Sequence, residues 1–294
     1  MIFKIPHELA LCCGIDAGHR VSGHLFEQIE YFYYFYFMKH VDVCIVSDDA
    51  DVYIDQALEK YNFTPEEKQI IKSRIYKYPK NIRILAGNKL LFVDGATFYM
   101  HNTMIKGEVY YFRCSWENFQ KHSTVFQDTR MYKERPNSVH YVKKILFEKL
   151  KKPEHSEDNK LLYLTKNCRH LSEAEFNEVL RKYEDTRKFL VISDKYEPYY
   201  NVPEVIYEEV PVENLFSRFS TYIYTKLNYK EMVDCSPRFI PECKYFGKDV
   251  IYDAPIYLGL DVRKYDTENN FNSLFLTEED RLSELIGCSK ISTP

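Results

Sequence analysis

Residues 9–47, LALCCGIDAGHRVSGHLFEQIEYFYYFYFMKHVDVCIVS, decide the fold. Leu9 to Gly14 is a short apolar run, and Ile15 to Ser22 is a glycine-bearing loop. Leu25, Ile29, Phe32 and Tyr36 then recur at the spacing of one helical face. Val41 to Ser47 reads as a compact β-branched strand. Strand, loop, helix, strand is a βαβ unit, and its first loop leaves the carboxyl end of a strand, where α/β proteins place ligands. Seven consecutive aromatics, Tyr31 to Phe37, must point in every direction on a helix. They read as packing between sheet and helices rather than as a platform for nucleobases.

The same alternation continues along the chain. A helix is expected from about Pro65 to Tyr78, strands over Lys89 to Val93 and Glu108 to Arg113, and a helix from Ser138 to Leu150. The polar run KKPEHSEDNK, Lys151 to Lys160, then breaks all periodicity and marks a boundary. Beyond it come a strand at Leu161 to Thr165, a helix at Ser172 to Asp185 opened by a Ser172/Glu175 capping box, and a strand at Phe189 to Ser193. Val205 to Val210, a helix near Val212 to Arg218 and Thr221 to Thr225 complete the series. The prediction is two α/β, Rossmann-like domains, residues 1–155 and 156–294, with the last helix returning to the first domain. At 294 residues and 45% hydrophobic content the chain can fill two cores.

Composition excludes several classes. A formal net charge of -4 and a sequence pI near 6.2 do not attract nucleic acid to the molecule as a whole. The eight cysteines have no paired metal spacing, so the chain reads as reduced and cytoplasmic, with neither a disulfide framework nor a zinc site. No stretch of about 18 to 20 apolar residues suggests a transmembrane segment. Abundant Tyr, Lys, Ile and Phe beside 9 glycines point to a low-GC genome, as in some bacteria and phages.

A second informative stretch is DCSPRFIPECKYFGKDVIY, Asp234 to Tyr252. It opens a helix near Arg238, closes it at Gly247 and enters a β-rich run. Pro241 lacks an N–H and fits only the first turn, so the helix is expected to start between Arg238 and Ile240. Arg238 at such an entry suits a phosphate, and Glu242, one turn along, suits sugar hydroxyls. The alternative is an ordinary αβ unit with a glycine C-cap.

Glu242, Gly247 and Val250-Ile251 resemble the Glu-x-x-x-x-Gly-x-x-Val-Ile segment in the second domain of GT-B glycosyltransferases. That resemblance implies two Rossmann-like domains facing each other across a cleft, with Glu242 on the ribose of a UDP-sugar. Arg238, with Lys166 and Arg169 after the second domain's first strand, would hold its diphosphate. Gly18-His19 resembles the Gly-His that follows the first strand in inverting GT-B enzymes, which makes His19 the general base on an acceptor hydroxyl. Asp16 would orient the imidazole or replace it, and Asp94, directly after a strand, is a further candidate base. The family often has proline where this chain has Ser22, and Asp94-Gly95 also reads as a plain turn.

Two charged features remain. Ser47-Asp48-Asp49-Ala50-Asp51 contains the Asp-x-Asp of metal-dependent GT-A enzymes, but it comes too early in the chain and reads as an acidic helix start, so no divalent metal is expected to be essential. Arg130 to Lys152 carries eight Lys or Arg against two Glu, and Arg130, Lys133, Arg135, Lys143 and Lys144 are candidates to bind double-stranded DNA. A solvated helix face explains the same charges. The compact length resembles that of the DNA-modifying sugar transferases of T4-like phages, and VYYFRCSW, Val109 to Trp116, resembles a segment of the phage β-glucosyltransferases. By that resemblance the acceptor is 5-hydroxymethylcytosine in DNA, the sugar glucose or a pentose such as arabinose, and the compartment the host cytoplasm. A bacterial lipopolysaccharide or capsule glycosyltransferase and a non-catalytic nucleotide-binding module stay open as alternatives.

Overall fold

A computed structural model describes residues 1–12, 23–47, 50–77, 81–93, 103–112, 124–127, 139–140, 144–164, 173–184, 188–193, 205–207, 212–224, 238–253, 256–257, 260–261, 263 and 276–291. The chain forms two compact units, Met1–Leu150 with Asn272–Pro294, and Lys151–Phe271.

The first unit is an eight-stranded sheet. Its strands are β1 (Ile2–Lys4), β2 (Leu9–Cys12), β3 (Val43–Ser47), β4 (Ile75–Lys77), β5 (Ile84–Phe92), β6 (Met104–Phe112), β7 (Thr124–Gln127) and β8 (Val139–His140). The order is β4-β3-β2-β5-β6-β7-β8, with β1 beside the amino-terminal half of β5, and every pairing is parallel. All four residues of β2 are buried, as expected of a parallel strand covered on both faces.

Helices α1 (Gly23–Tyr33), α2 (Ala50–Leu58) and α3 (Pro65–Ser73) join β2, β3 and β4. The aromatic run does form core: Tyr31, Phe32, Tyr34 and Phe35 are fully buried. A π-helical turn at Tyr34–Met38 ends the helix, and Lys39 N donates to Tyr34 O. α3 starts on a complete capping box, Thr64 with Glu67, and has Pro65 in its first turn.

Two expected elements differ. The helix predicted to Tyr78 stops at Ser73, and Ile75–Lys77 becomes β4, because Ile75 and Tyr76 add a rung beside Ile45 and Val46. The helix predicted over 138–150 is absent from its described residues. Val139–His140 is β8, and Phe147–Lys149 is a single 3₁₀ turn. Ile145, Leu146 and Phe147 are all buried, and three consecutive apolar side chains cannot share one face of a helix.

The last described segment belongs to this unit. Tyr34 OH donates to Asp280 O, Tyr110 OH to Ile286 O, and Ile291 N to His40 O, which seats the helix Leu282–Ile286 on the sheet's elements.

The second unit has its own parallel sheet of β9 (Asn159–Leu164), β10 (Lys188–Ser193), β11 (Val205–Tyr207), β12 (Thr221–Tyr224) and β13 (Asp249–Tyr252), in the order β11-β10-β9-β12-β13. β14 (Ile256–Tyr257) and β15 (Leu260–Asp261) pair separately, antiparallel. α4 (Glu173–Lys182) follows β9, and α5 (Phe239–Tyr245) joins β12 to β13. The Ser172 side of the predicted capping box lies outside the described residues. Val212–Ser217 is a 3₁₀ helix. Leu161, Leu190, Phe216, Phe219 and Cys243 build the core, and the Phe239 ring against Phe216 and Tyr222 fixes α5 to it.

At the amino ends of β2, β3 and β4 lies a polar cluster that sequence reading did not anticipate. Asp42 Oδ1 accepts from Arg74 at 2.6 Å and lies 3.0 Å from His7 Nδ1, while His7 Nε2 meets Tyr76 OH at 2.8 Å. Burial pushes the Asp42 carboxyl up, but the hydrogen bonds from Arg74 and His7 outweigh it and hold it below the usual range. Glu67 is lowered likewise: burial raises it, and the Thr64 N–H, Lys149 and Tyr33 more than offset that. A carboxylate with a depressed folded pKa contributes stability above its unfolded value, near pH 4, and that stability is lost as pH falls through the folded pKa. The urea midpoint is therefore expected to drop below about pH 4, and less steeply in Asp42→Asn and Glu67→Gln.

Candidate functional site

Both sheets share one topological property. In the first unit the chain runs outward from β2 to β3 and β4 on one side, then from β5 to β6, β7 and β8 on the other. In the second it runs outward from β9 to β10 and β11, then from β12 to β13. The order reverses between β2 and β5, and between β9 and β12. Loops leaving the carboxyl ends of two such strands diverge to opposite faces and leave a crevice, the usual ligand position in open α/β sheets.

In the first unit the sequence's own candidates follow, in chain order, the two strands that flank this switch point. Cys12 pairs with Phe92, and Val93 N donates to Cys12 O at 3.0 Å, so the two strand ends are adjacent. The chain carrying Asp16, Gly18 and His19 leaves from Cys12, and Asp94 follows Val93. These four residues, like Asp48 and Asp49, lie outside the described residues.

α1 is pinned to the sheet by a side chain that was not foreseen. Gln28, fully buried, donates Nε2 to Leu11 O at 2.9 Å and to Val46 O at 3.2 Å, spanning the carboxyl ends of β2 and β3. Its Oε1 has no hydrogen-bond partner among the described residues. One signal was legible: a glutamine between Leu25 and Ile29 on the otherwise apolar stripe of α1.

In the second unit, Thr221 pairs with Lys160 and Tyr222 with Leu161, making β9 and β12 neighbours. The chain carrying Lys166 and Arg169 leaves β9, and the chain leaving β12 arrives at Arg238, the residue that precedes α5. Lys166 and Arg169 lie outside the described residues. Arg238 and Glu242 are described, and they meet: Arg238 Nε donates to Glu242 Oε1 at 2.5 Å, one helical turn apart. Glu242 is 1% exposed. α5 begins at Phe239, and Pro241 is its third residue, where a missing N–H breaks no helical hydrogen bond. Gly247 follows at φ 70°, the left-handed position that glycine takes at a helix end.

The basic strip is partly committed to packing. Lys144 forms an ion pair with Asp280, whose side chain is 1% exposed. Lys149 bonds Glu67 at 3.1 Å and lies over the Tyr33 ring. Arg130, Lys133, Arg135 and Lys143 lie outside the described residues. Among the described residues no group of His, Cys, Asp or Glu side chains is placed to hold a metal ion, and no helix is long and apolar enough to cross a membrane. Comparison with protein-family models, with curated proteins and with solved structures finds no match.

Proposed function

We propose that the chain is a nucleotide-sugar-dependent glycosyltransferase of the GT-B type, with the donor held by the second unit and the acceptor by the first. The observation that supports it is the repeated switch point. In each unit, candidate residues of complementary chemistry follow neighbouring strands in the sequence: Asp16, His19 and Asp94 in the first, Lys166, Arg169 and Arg238 in the second.

In this reading His19, aided or replaced by Asp16 or Asp94, takes the proton of an acceptor hydroxyl. The oxygen attacks the anomeric carbon of a UDP-sugar with inversion, and the bond from that carbon to the diphosphate oxygen breaks. Lys166, Arg169 and Arg238 meet the charge that builds on the leaving diphosphate, and Glu242 orients the nucleotide. The chemistry needs no bound metal if these cations serve. The finer proposal, carried by the resemblance to the phage enzymes, is glucose or a pentose such as arabinose delivered to 5-hydroxymethylcytosine in duplex DNA.

A panel of nucleotide sugars, each with and without hydroxymethylated duplex DNA, tests both levels by the release of free nucleotide. Release that depends on the modified DNA is the expected result. Release only with a lipopolysaccharide or capsule acceptor moves the acceptor assignment, and binding without turnover on any acceptor removes the transferase reading.

A further inference from the structure

The amino-terminal ends of β1, β5 and β6 carry a sheet face whose outer residues on β1 and β6 are exposed and whose Ile84 and Ala86 on β5 are half-exposed. Ile2, Ile84 and Met104 form one cross-strand row on that face, and two residues further in, Lys4, Ala86 and Lys106 form the next. Ile2 is 64% and Met104 59% exposed, and Met1, at the same end, is 66% exposed. Lys4 and Lys106 are exposed too, and neither has an ion-pair partner among the described residues. On the opposite face, Phe3, Leu85 and Ile105 pack into the core, which fixes the orientation of the outer rows. The next acid on the outer face of β6, Glu108, lies beyond a bulge, with Oε2 3.0 Å from the Tyr110 hydroxyl.

We propose that this end is an interfacial membrane-binding tip for anionic lipid. The order of the rows is the argument. Apolar side chains lead at the strand ends, and lysines follow two residues behind, roughly 7 Å along a strand. That separation matches the step from the acyl boundary to the phosphate layer, into which interfacial elements sink by about 5–10 Å. Lys4 and Lys106 supply the charge complement to anionic headgroups, while Ile2 and Met104 supply the apolar contact. A flat acidic protein partner would not require the two kinds of side chain to be separated by depth. The tip lies at the amino ends of β1, β5 and β6, at the other end of the parallel sheet from the carboxyl ends of β2 and β5. The inference is independent of the glycosyltransferase reading.

Flotation of the full chain with vesicles of phosphatidylcholine alone, and of phosphatidylcholine mixed with phosphatidylglycerol, tests it. Co-flotation with the mixed vesicles, weakened by salt, is expected. The pairs Ile2→Glu with Met104→Glu, and Lys4→Glu with Lys106→Glu, are each expected to lower vesicle partitioning about tenfold or more. Thermal melting should stay unchanged, because all four positions are exposed. Absence of flotation with anionic vesicles, or equal flotation of wild type and both variants, overturns the proposal. Retention on duplex DNA or on an acidic protein that the variants lose, without vesicle binding, also overturns it and assigns the face to that partner.

Discussion

Gly107→Ala is expected to unfold the first unit or to cost it more than about 4 kcal/mol, the extreme end of single-substitution effects. Between the paired positions Ala86–Lys106 and Lys89–Glu108, Gly87 and Asn88 on β5 oppose Gly107 alone on β6. That is a bulge, and it forces Gly107 to φ 137°, a conformation that L side chains rarely adopt. A Cβ there would sit 2.1 Å from Gly87 O and 3.1 Å from Asn88 O, both backbone atoms that move only if the ladder moves. Gly87→Ala is the control. Its Cβ meets the Leu90 Cδ2 at 3.0 Å, the far end of a side chain that can turn, so a much smaller loss is expected. Urea unfolding followed by circular dichroism compares the two. If Gly107→Ala keeps the wild-type midpoint, the bulge is not where the ladder places it. The bulge also has a functional reach, because it sets the register in which Phe92 pairs with Cys12 and Tyr111 at the switch point. A one-residue slip would turn every β5 side chain beyond it to the other face.

Much of this architecture was legible from hydrophobic period alone. β2, α1 and β3 follow from residues 9–47 because both faces of the strands are buried and the helical stripe is unbroken except at Gln28. The misread elements share one cause: local pattern was overridden by a partner distant in sequence. Ile75 and Tyr76 continue a helical stripe until β3 is there to pair with them. Residues 138–150 look amphipathic, yet Leu150 bridges to Tyr61, and Lys149 O accepts from Asn62 N. Strand order was beyond local pattern altogether, since only the pairing of β2 with β5, and of β9 with β12, shows where chain order reverses. The strands β2, β5 and β9 that the candidate loops follow were legible, while the loops themselves lie outside the described residues. Arg238 and Glu242 were read as separate ligand contacts, although their i, i+4 spacing already placed them side by side.

That pairing yields the sharpest test of the donor site. The Glu242 carboxylate is buried and bonded to Arg238, so Arg238→Ala, which leaves it short of a cation, is expected to destabilise the second unit by about 3 kcal/mol. Glu242→Ala leaves the less buried Arg238 without this partner, and also opens a gap beside Cys243, so a loss of similar size is expected. Stability alone cannot distinguish a structural ion pair from a ligand-binding one. The double variant Arg238→Met with Glu242→Leu separates them, because replacing a buried pair by apolar residues of similar volume is often neutral. Its melting temperature is expected near that of the wild type. If Arg238 meets a diphosphate and Glu242 orients a ribose, loss of a charge-assisted hydrogen bond at each should weaken UDP binding by at least about tenfold per contact. Calorimetric titration of UDP into wild type and double variant gives the answer. A variant that melts like the wild type but no longer binds UDP supports the donor-site reading. Equal affinity in both would make the pair an internal brace of the first turn of α5 and leave the diphosphate to the chain that carries Lys166 and Arg169.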